Sequence, residues 1–130
     1  MNKKFLGIIP ARQGSTRLQN KNNRKIGKIS LTEITIRSAL KCRMLNEIAI
    51  SSNDNKVLKT ASKFPIIRYI KRPKKLANST AKLTDVCKHV LKKFNKNFDY
   101  CVLLQVTSPF RKAKHIDQAI KKVIKNKALG

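Results

Sequence analysis

Acidic residues are nearly missing from this sequence. Its 130 residues include 6 Asp and Glu against 31 Lys and Arg, a formal net charge of +25. The acids are Glu33, Glu47, Asp54, Asp85, Asp99 and Asp117, with no adjacent pair and no D-x-D. No local carboxylate pair of the kind that holds Mg²⁺ is therefore present. Tryptophan is absent, aromatics reach only 5%, and no Lys/Arg run interleaves with them. That argues against a stacking platform for single-stranded nucleic acid. Cys42, Cys87 and Cys101 are odd in number, far apart and never in C-x-x-C, so no zinc or redox signature exists. They read as small buried hydrophobes. No apolar run approaches the roughly 18–20 residues of a membrane helix. Lys3 and Lys4 precede an apolar stretch at residues 5–9, but Pro10 and Arg12 end it too early for a signal sequence. The expectation is a cytoplasmic protein with no membrane partner.

What is present can fold. The 41% hydrophobic content supports a core, and the length amounts to one domain. The charge points to an anionic partner, a nucleotide or nucleic acid. A lysine-heavy composition is the bland alternative, because Asn is abundant too. The lysines are spread over most polar stretches instead of forming one block, which disfavours nucleic acid as the main partner. The field still attracts a triphosphate, and it opposes compaction by self-repulsion.

Apolar runs and helical patterns alternate along the chain. Residues 5–9 form a continuous apolar run, as in a strand buried on both faces. Residues 12–30 are polar and too long for an ordinary connection between strand and helix. Leu31, Ile34, Ala39 and Leu40 recur at helical spacing, in a helix ending near Met44. Residues 48–50 read as a second strand. Ser51-Ser52-Asn53-Asp54 offers cap chemistry for a helix reaching about Lys63, which Pro65 closes off. Residues 66–70 predict a third strand, and residues 84–94 a helix with Val86, Val90 and Leu91 on one face. Residues 100–106 predict the strongest strand, and residues 116–124 a last helix. This β-α-β-α-β-α-β-α order predicts an α/β fold, a mostly parallel sheet of about four strands with helices on both faces. Ligands in such folds sit beyond the carboxyl ends of the strands. The segments there are residues 12–21, 51–54, 72–80 and 105–111, also the most polar and unusual in the chain.

The first of these carries Arg12, Gly14, Ser15 and Arg17, then Lys21. A Gly-Ser-Thr segment after a buried strand can turn backbone N–H groups toward phosphate, and the cations add charge-assisted contacts. It is neither Walker A nor G-x-G-x-x-G, and by physics alone it could equally be a solvated basic loop. Arg72 could be a solvated cation. Gln105 offers a donor and an acceptor side by side, or simply caps a strand end. Thr107-Ser108-Pro109 could be only a turn and helix entry. Asp85 suits an early helix position through the dipole.

Residues 8–18, Ile-Ile-Pro-Ala-Arg-Gln-Gly-Ser-Thr-Arg-Leu, followed by Lys21-Asn22, resemble the opening motif of the CMP-sialic acid synthetases, or acylneuraminate cytidylyltransferases. The likeness continues in order through Ile50-Ser51-Ser52-Asn53-Asp54, Arg72-Pro73, Leu76-Ala77, Thr80-Ala81 and Asp85-Val86. It ends with residues 103–111, Leu-Leu-Gln-Val-Thr-Ser-Pro-Phe-Arg, and His115-Ile116-Asp117. The related Kdo cytidylyltransferases share the opening motif without a counterpart of Thr107-Ser108-Pro109. The resemblance implies a Rossmann-like nucleotide-diphospho-sugar transferase fold. It also implies CMP transfer from CTP to a sialic-acid-like nonulosonic acid, giving a CMP-sugar and pyrophosphate. By it, Arg12, Ser15 and Lys21 hold the triphosphate, with Arg12 and Lys21 as the catalytic cations and Lys21 the main charge-stabilising one; Gly14 and Arg17 join them on the physical reading of the loop. Asn22, Arg72, Gln105 and Thr107 take the rest of the nucleotide.

The likeness has gaps. Gln19 stands where the family usually has Pro, Asn53 where it often has Asp, and Lys82-Leu83 where it tends to carry Ser. The family's metal-binding aspartates, later strands, much of its sugar pocket and its dimer region belong to a segment beyond Gly130. The expectation is thus a single incomplete, truncated domain over residues 1–130, with little activity alone. Mg²⁺ is expected as cofactor with no ligands in this stretch, and the family's homodimer without its interface. A non-catalytic CTP-binding relative and a basic nucleic-acid-binding protein are the alternatives.

Overall fold

A computed structural model of the chain describes residues 3–11, 25–26, 29–76, 82–94 and 97–106. Four strands form the main sheet: β1 (Phe5–Ala11), β4 (Glu47–Ser52), β5 (Arg68–Lys71) and β6 (Tyr100–Leu103). Their order is β5-β4-β1-β6, and every pairing is parallel. Two short strands, β2 (Lys25–Ile26) and β3 (Ile29–Ser30), pair antiparallel in a separate ribbon. The helices are α1 (Leu31–Leu40), α2 (Asn55–Ala61) and α3 (Leu83–Lys92), and a 3₁₀ turn covers Lys74–Leu76. The expected helix at residues 116–124 lies outside the described residues.

β1 is the central strand because it can be buried twice. Phe5, Ile9 and Ala11 join a core with Ile36 and Ala39 of α1, Ile50 of β4, and Val57 and Ala61 of α2. Leu6 and Ile8 point the other way, into a core with Ala49, Ile70, Val90 and Phe94. Successive strand side chains alternate faces, so one apolar run serves both cores. α1 and α2 cover one face and α3 the other, as the alternating pattern requires. A Cβ at Gly7 would lie 2.9 Å from Cδ1 of Leu45, so a larger residue there requires that side chain to shift.

The helices start where their caps allow. Ser30 Oγ accepts from the Glu33 N–H at 3.1 Å, opening α1. Asp54 accepts from the Lys56 N–H at 2.9 Å, opening α2 as the sequence predicts. Glu33 is nearly buried, and it pairs with Arg37 at 2.7 Å and Lys63 at 3.5 Å.

Several elements differ from expectation. α1 stops at Leu40, short of Met44, and its buried face carries Thr32, Thr35, Ile36 and Ala39. Leu31, Ile34 and Leu40 are only half-buried, because the helix is rolled relative to the expected stripe. β5 begins two residues late. The Ile67 N–H donates to the Phe64 carbonyl at 2.9 Å, so residues 64–67 turn back, exposing Ile66 and burying Ile67. β6 ends at Leu103, although the Leu104 N–H still donates to the Ile8 carbonyl at 2.9 Å. The β2–β3 ribbon lies inside the stretch expected to be one long polar loop.

An unpaired edge and uncovered apolar surface are expected of a four-stranded sheet. β5 and β6 are the edges of the described sheet. Ile66 before β5, Tyr69 on β5 and Leu83 at the start of α3 are the exposed large hydrophobics among the described residues. Arg68 covers Phe94, with its guanidinium carbon 4.5 Å from the ring centre. Of the cysteines expected to be buried, Cys42 is, while Cys87 and Cys101 are half-buried against the second core, where desolvation raises both thiols above their ordinary range. No helix among the described residues is long and apolar enough to cross a membrane.

Candidate functional site

All four main strands run the same way, so their carboxyl ends share one edge. From β1 the chain moves outward to β4 and then β5, and it returns to the opposite side of β1 with β6. The order therefore reverses between β1 and β6. Ligands of open α/β sheets bind beyond the carboxyl ends at such a reversal. β1 leads into Arg12 and β6 leads toward Gln105, so the two segments singled out for phosphate and nucleoside leave from either side of it.

Arg12, Gly14, Ser15, Arg17, Lys21, Asn22 and Thr107 lie outside the described residues. Arg72 and Gln105 lie within them. Arg72 is not a solvated cation: only 5% of it is exposed. Its backbone N–H donates to the Ser52 carbonyl at 2.8 Å, continuing the β4–β5 ladder by one residue. Its side chain then turns back onto β4. Nε donates to Ser51 Oγ at 3.2 Å, Nη2 to the Ser51 carbonyl at 3.2 Å, and Nη1 to the Leu76 carbonyl at 3.5 Å. A guanidinium keeps its charge at any physiological pH, so these carbonyls and the hydroxyl must offset its lost hydration. The result is a fixed positive pole at the strand ends.

The next residue of β4 ties down the neighbouring strand. Ser52 Oγ donates to the Ala11 carbonyl at 2.6 Å and accepts from the Asp54 N–H at 2.9 Å. Ala11 is the last residue of β1, one position before Arg12. Gln105 is exposed, while its neighbours Leu104 and Val106 are buried, so its amide sits at the surface just past β6. Asp85 is exposed in the first turn of α3, where a helix dipole favours an acid.

One residue near Arg72 escaped sequence reasoning. His89 of α3 has its Nδ1 buried without a hydrogen-bond partner among the described residues. Burial, and then the charges of Lys93, Arg72, Lys75 and Lys92, push its pKa below the ordinary 6.5. A single histidine on an otherwise basic helix gives no spacing signal, so only the fold could place it beside Arg72. The Ser51-Ser52 pair lies in one of the strand-end segments that the sequence singles out, but nothing in the sequence links it to Arg72.

Metal ligation finds no support among the described acids. No group of three or more His, Cys, Asp and Glu side chains there could hold a metal ion. Asp54, the acid at the strand ends, is engaged as the cap of α2.

Comparison with known proteins bears on the family and the fold. The family model described as cytidylyltransferase matches residues 6–129. An N-acylneuraminate cytidylyltransferase of Escherichia coli is 33% identical over 121 residues, covering 93% of this chain and 28% of that protein. A CMP-N,N'-diacetyllegionaminic acid synthase of Legionella pneumophila is 34% identical over 120 residues, covering 90% of this chain and 52% of that protein. The chain thus spans about half of one relative's length and less of the other's. Among solved structures, a CMP:2-keto-3-deoxy-manno-octonic acid synthetase complexed with CTP superposes with a TM-score of 0.79 at 22% identity. That match covers 96% of this chain and 49% of the other, and it shows a shared Rossmann-like α/β fold. With nearly its whole length inside the family match, the chain belongs to the cytidylyltransferase family.

Proposed function

We propose that this chain is the nucleotide-binding part of an enzyme that transfers CMP from CTP to a nonulosonic acid. In the reaction a sugar hydroxyl attacks the α-phosphorus of CTP. A phosphorus–oxygen bond to the sugar forms as the bond to pyrophosphate breaks. Arg12, Gly14, Ser15, Arg17 and Lys21 hold the triphosphate, and Lys21 opposes the charge that builds on departing pyrophosphate. Asn22, Arg72, Gln105 and Thr107 take the nucleoside side. Little covalent protein chemistry is needed: alignment of the nucleophile and neutralisation of charge supply most of the rate. Mg²⁺ belongs to the whole enzyme in this reading, and no step is assigned to it because the described acids do not fit it.

The observation that carries the reading is the strand order β5-β4-β1-β6. β1 ends at Ala11, just before the basic segment in sequence, and β6 ends at Leu103, just before Gln105, and the two strands flank one reversal point. The names of the related proteins support a nonulosonic acid as acceptor. The residues 1–130 are read as one incomplete domain that supplies the nucleotide half.

Calorimetric titration of the chain with CTP, ATP and a single-stranded polynucleotide tests this. CTP is expected to bind in preference to ATP. Polynucleotide binding that falls steeply with salt, with no CTP binding, would overturn the reading in favour of a nucleic-acid protein.

A further inference from the structure

Ser51 and Ser52 end β4, and both are fully buried. Consecutive strand residues face opposite sides. Ile50 and Ala49 confirm the alternation, one in each core. The two hydroxyls therefore act on opposite faces of the sheet. On one face Ser51 takes the Arg72 guanidinium through both its hydroxyl and its carbonyl, at 3.2 Å each. On the other, Ser52 Oγ holds the final carbonyl of β1 at 2.6 Å and the Asp54 N–H at 2.9 Å.

We infer that the Ser51-Ser52 pair is a positioning device for the nucleotide site. Ser51 sets the pose of Arg72. Ser52 fixes the point from which the chain departs into Arg12. One dipeptide thereby ties the residue just past β5 and the last residue of β1 to a shared strand. The inference rests on the nucleotide reading above and adds residues to it that touch no substrate.

The chemistry favours serine for this work. A buried guanidinium needs oxygen acceptors around it, and a bare alanine at 51 would leave Nε short of one. A hydroxyl both donates and accepts, which lets Ser52 bridge a carbonyl and an N–H that belong to different elements. Serines serving only to satisfy strand ends would affect stability alone. A positioning role couples them to Arg72 in ligand affinity, and a double-mutant cycle measures that coupling.

The test uses the 130-residue chain and CTP as the probe, by calorimetry on wild type, Ser51→Ala, Arg72→Ala and the double variant. Ser51→Ala is expected to weaken CTP binding about tenfold, the loss typical of one bond to a charged group. In the Arg72→Ala background the same change is expected to have no further effect. Ser51→Thr keeps the hydroxyl and is expected to restore most of the affinity. The Arg72 Nε–H resonance, protected from exchange in wild type, is expected to lose that protection in Ser51→Ala. This signal is read without ligand, so a variant that binds poorly for other reasons is still informative. An equal loss in both backgrounds, or unchanged Nε–H protection in Ser51→Ala, would overturn the inference while leaving the nucleotide reading standing. Failure of the wild type to bind CTP sinks the nucleotide reading itself, and the device loses its purpose with it.

Discussion

The two ends of the sheet solve the same problem in different ways. At the amino end the polar groups close on one another. Asn46 Oδ1 accepts from the Phe5 N–H at 2.7 Å, and the Asn46 N–H donates to the Phe5 carbonyl at 2.9 Å. Asp99 Oδ2 accepts from the Lys4 N–H at 2.7 Å, and the Asp99 N–H returns to the Lys4 carbonyl at 2.8 Å. These reciprocal pairs tie three strand starts together with short side chains and backbone. At the carboxyl end a long cation is buried on a serine, and a second serine spans two strands. A buried arginine is costly to desolvate and is weak evidence for stability. The difference teaches that one end is arranged to hold the sheet together and the other to hold charge in place.

Between the ends lies the belt that both depend on, and the largest effect is expected there. Ile9 is fully buried opposite Ile50 in the register. Ile9→Ala should cost about 2–5 kcal/mol of stability, read from urea unfolding followed by circular dichroism. A loss well below that range would mean the core of the central strand is loosely packed. Asn46→Ala strikes the amino end alone. It leaves the Phe5 N–H without its side-chain acceptor and should cost about 1–3 kcal/mol of stability. CTP affinity of the folded variant should not change. If affinity fell with stability, the separation between the two ends would fail.

The smallest effect comes from His89, and it sharpens the carboxyl-end contrast. Its pKa is held below 6.5 in the folded protein, first by burial and then by Lys93, Arg72, Lys75 and Lys92. Between the folded and unfolded values the unfolded chain binds more protons, so folding weakens as protons are added. The contribution is whole above pH 6.5 and is lost as pH falls through the lower folded value. His89→Gln should flatten the acid side of the stability profile, measured as urea midpoints at a series of pH values. An unchanged slope would show that neither burial nor these cations depress the imidazole.

Legibility in the sequence tracked how local each cause is. β1 was readable because five apolar residues in a row need burial on two faces, and the structure buries both. The cap of α2 was readable because Asp54 acts two residues away, on Lys56. The ribbon was missed because strands of two residues show no periodicity; Gly27 between Ile26 and Ile29 was its only mark. β5 was placed two residues early because Ile66 and Ile67 look alike in sequence, and only the turn at Phe64 decides which is buried. Arg72 was nominated by family resemblance, yet its burial depends on Ser51, 21 residues earlier. Non-local bonds of that kind leave no trace in spacing. For the same reason His89 could not be linked to Arg72 before the fold was known.

The central claim is that the basic glycine-containing segment after β1 holds the triphosphate of CTP. Calorimetric titration of CTP into the chain, with and without Lys21→Ala, tests it most directly. Loss of one contact between a cation and phosphate should weaken binding by about 1.5–3 kcal/mol, with the unfolding midpoint unchanged. Identical CTP affinity in the two proteins would contradict the claim.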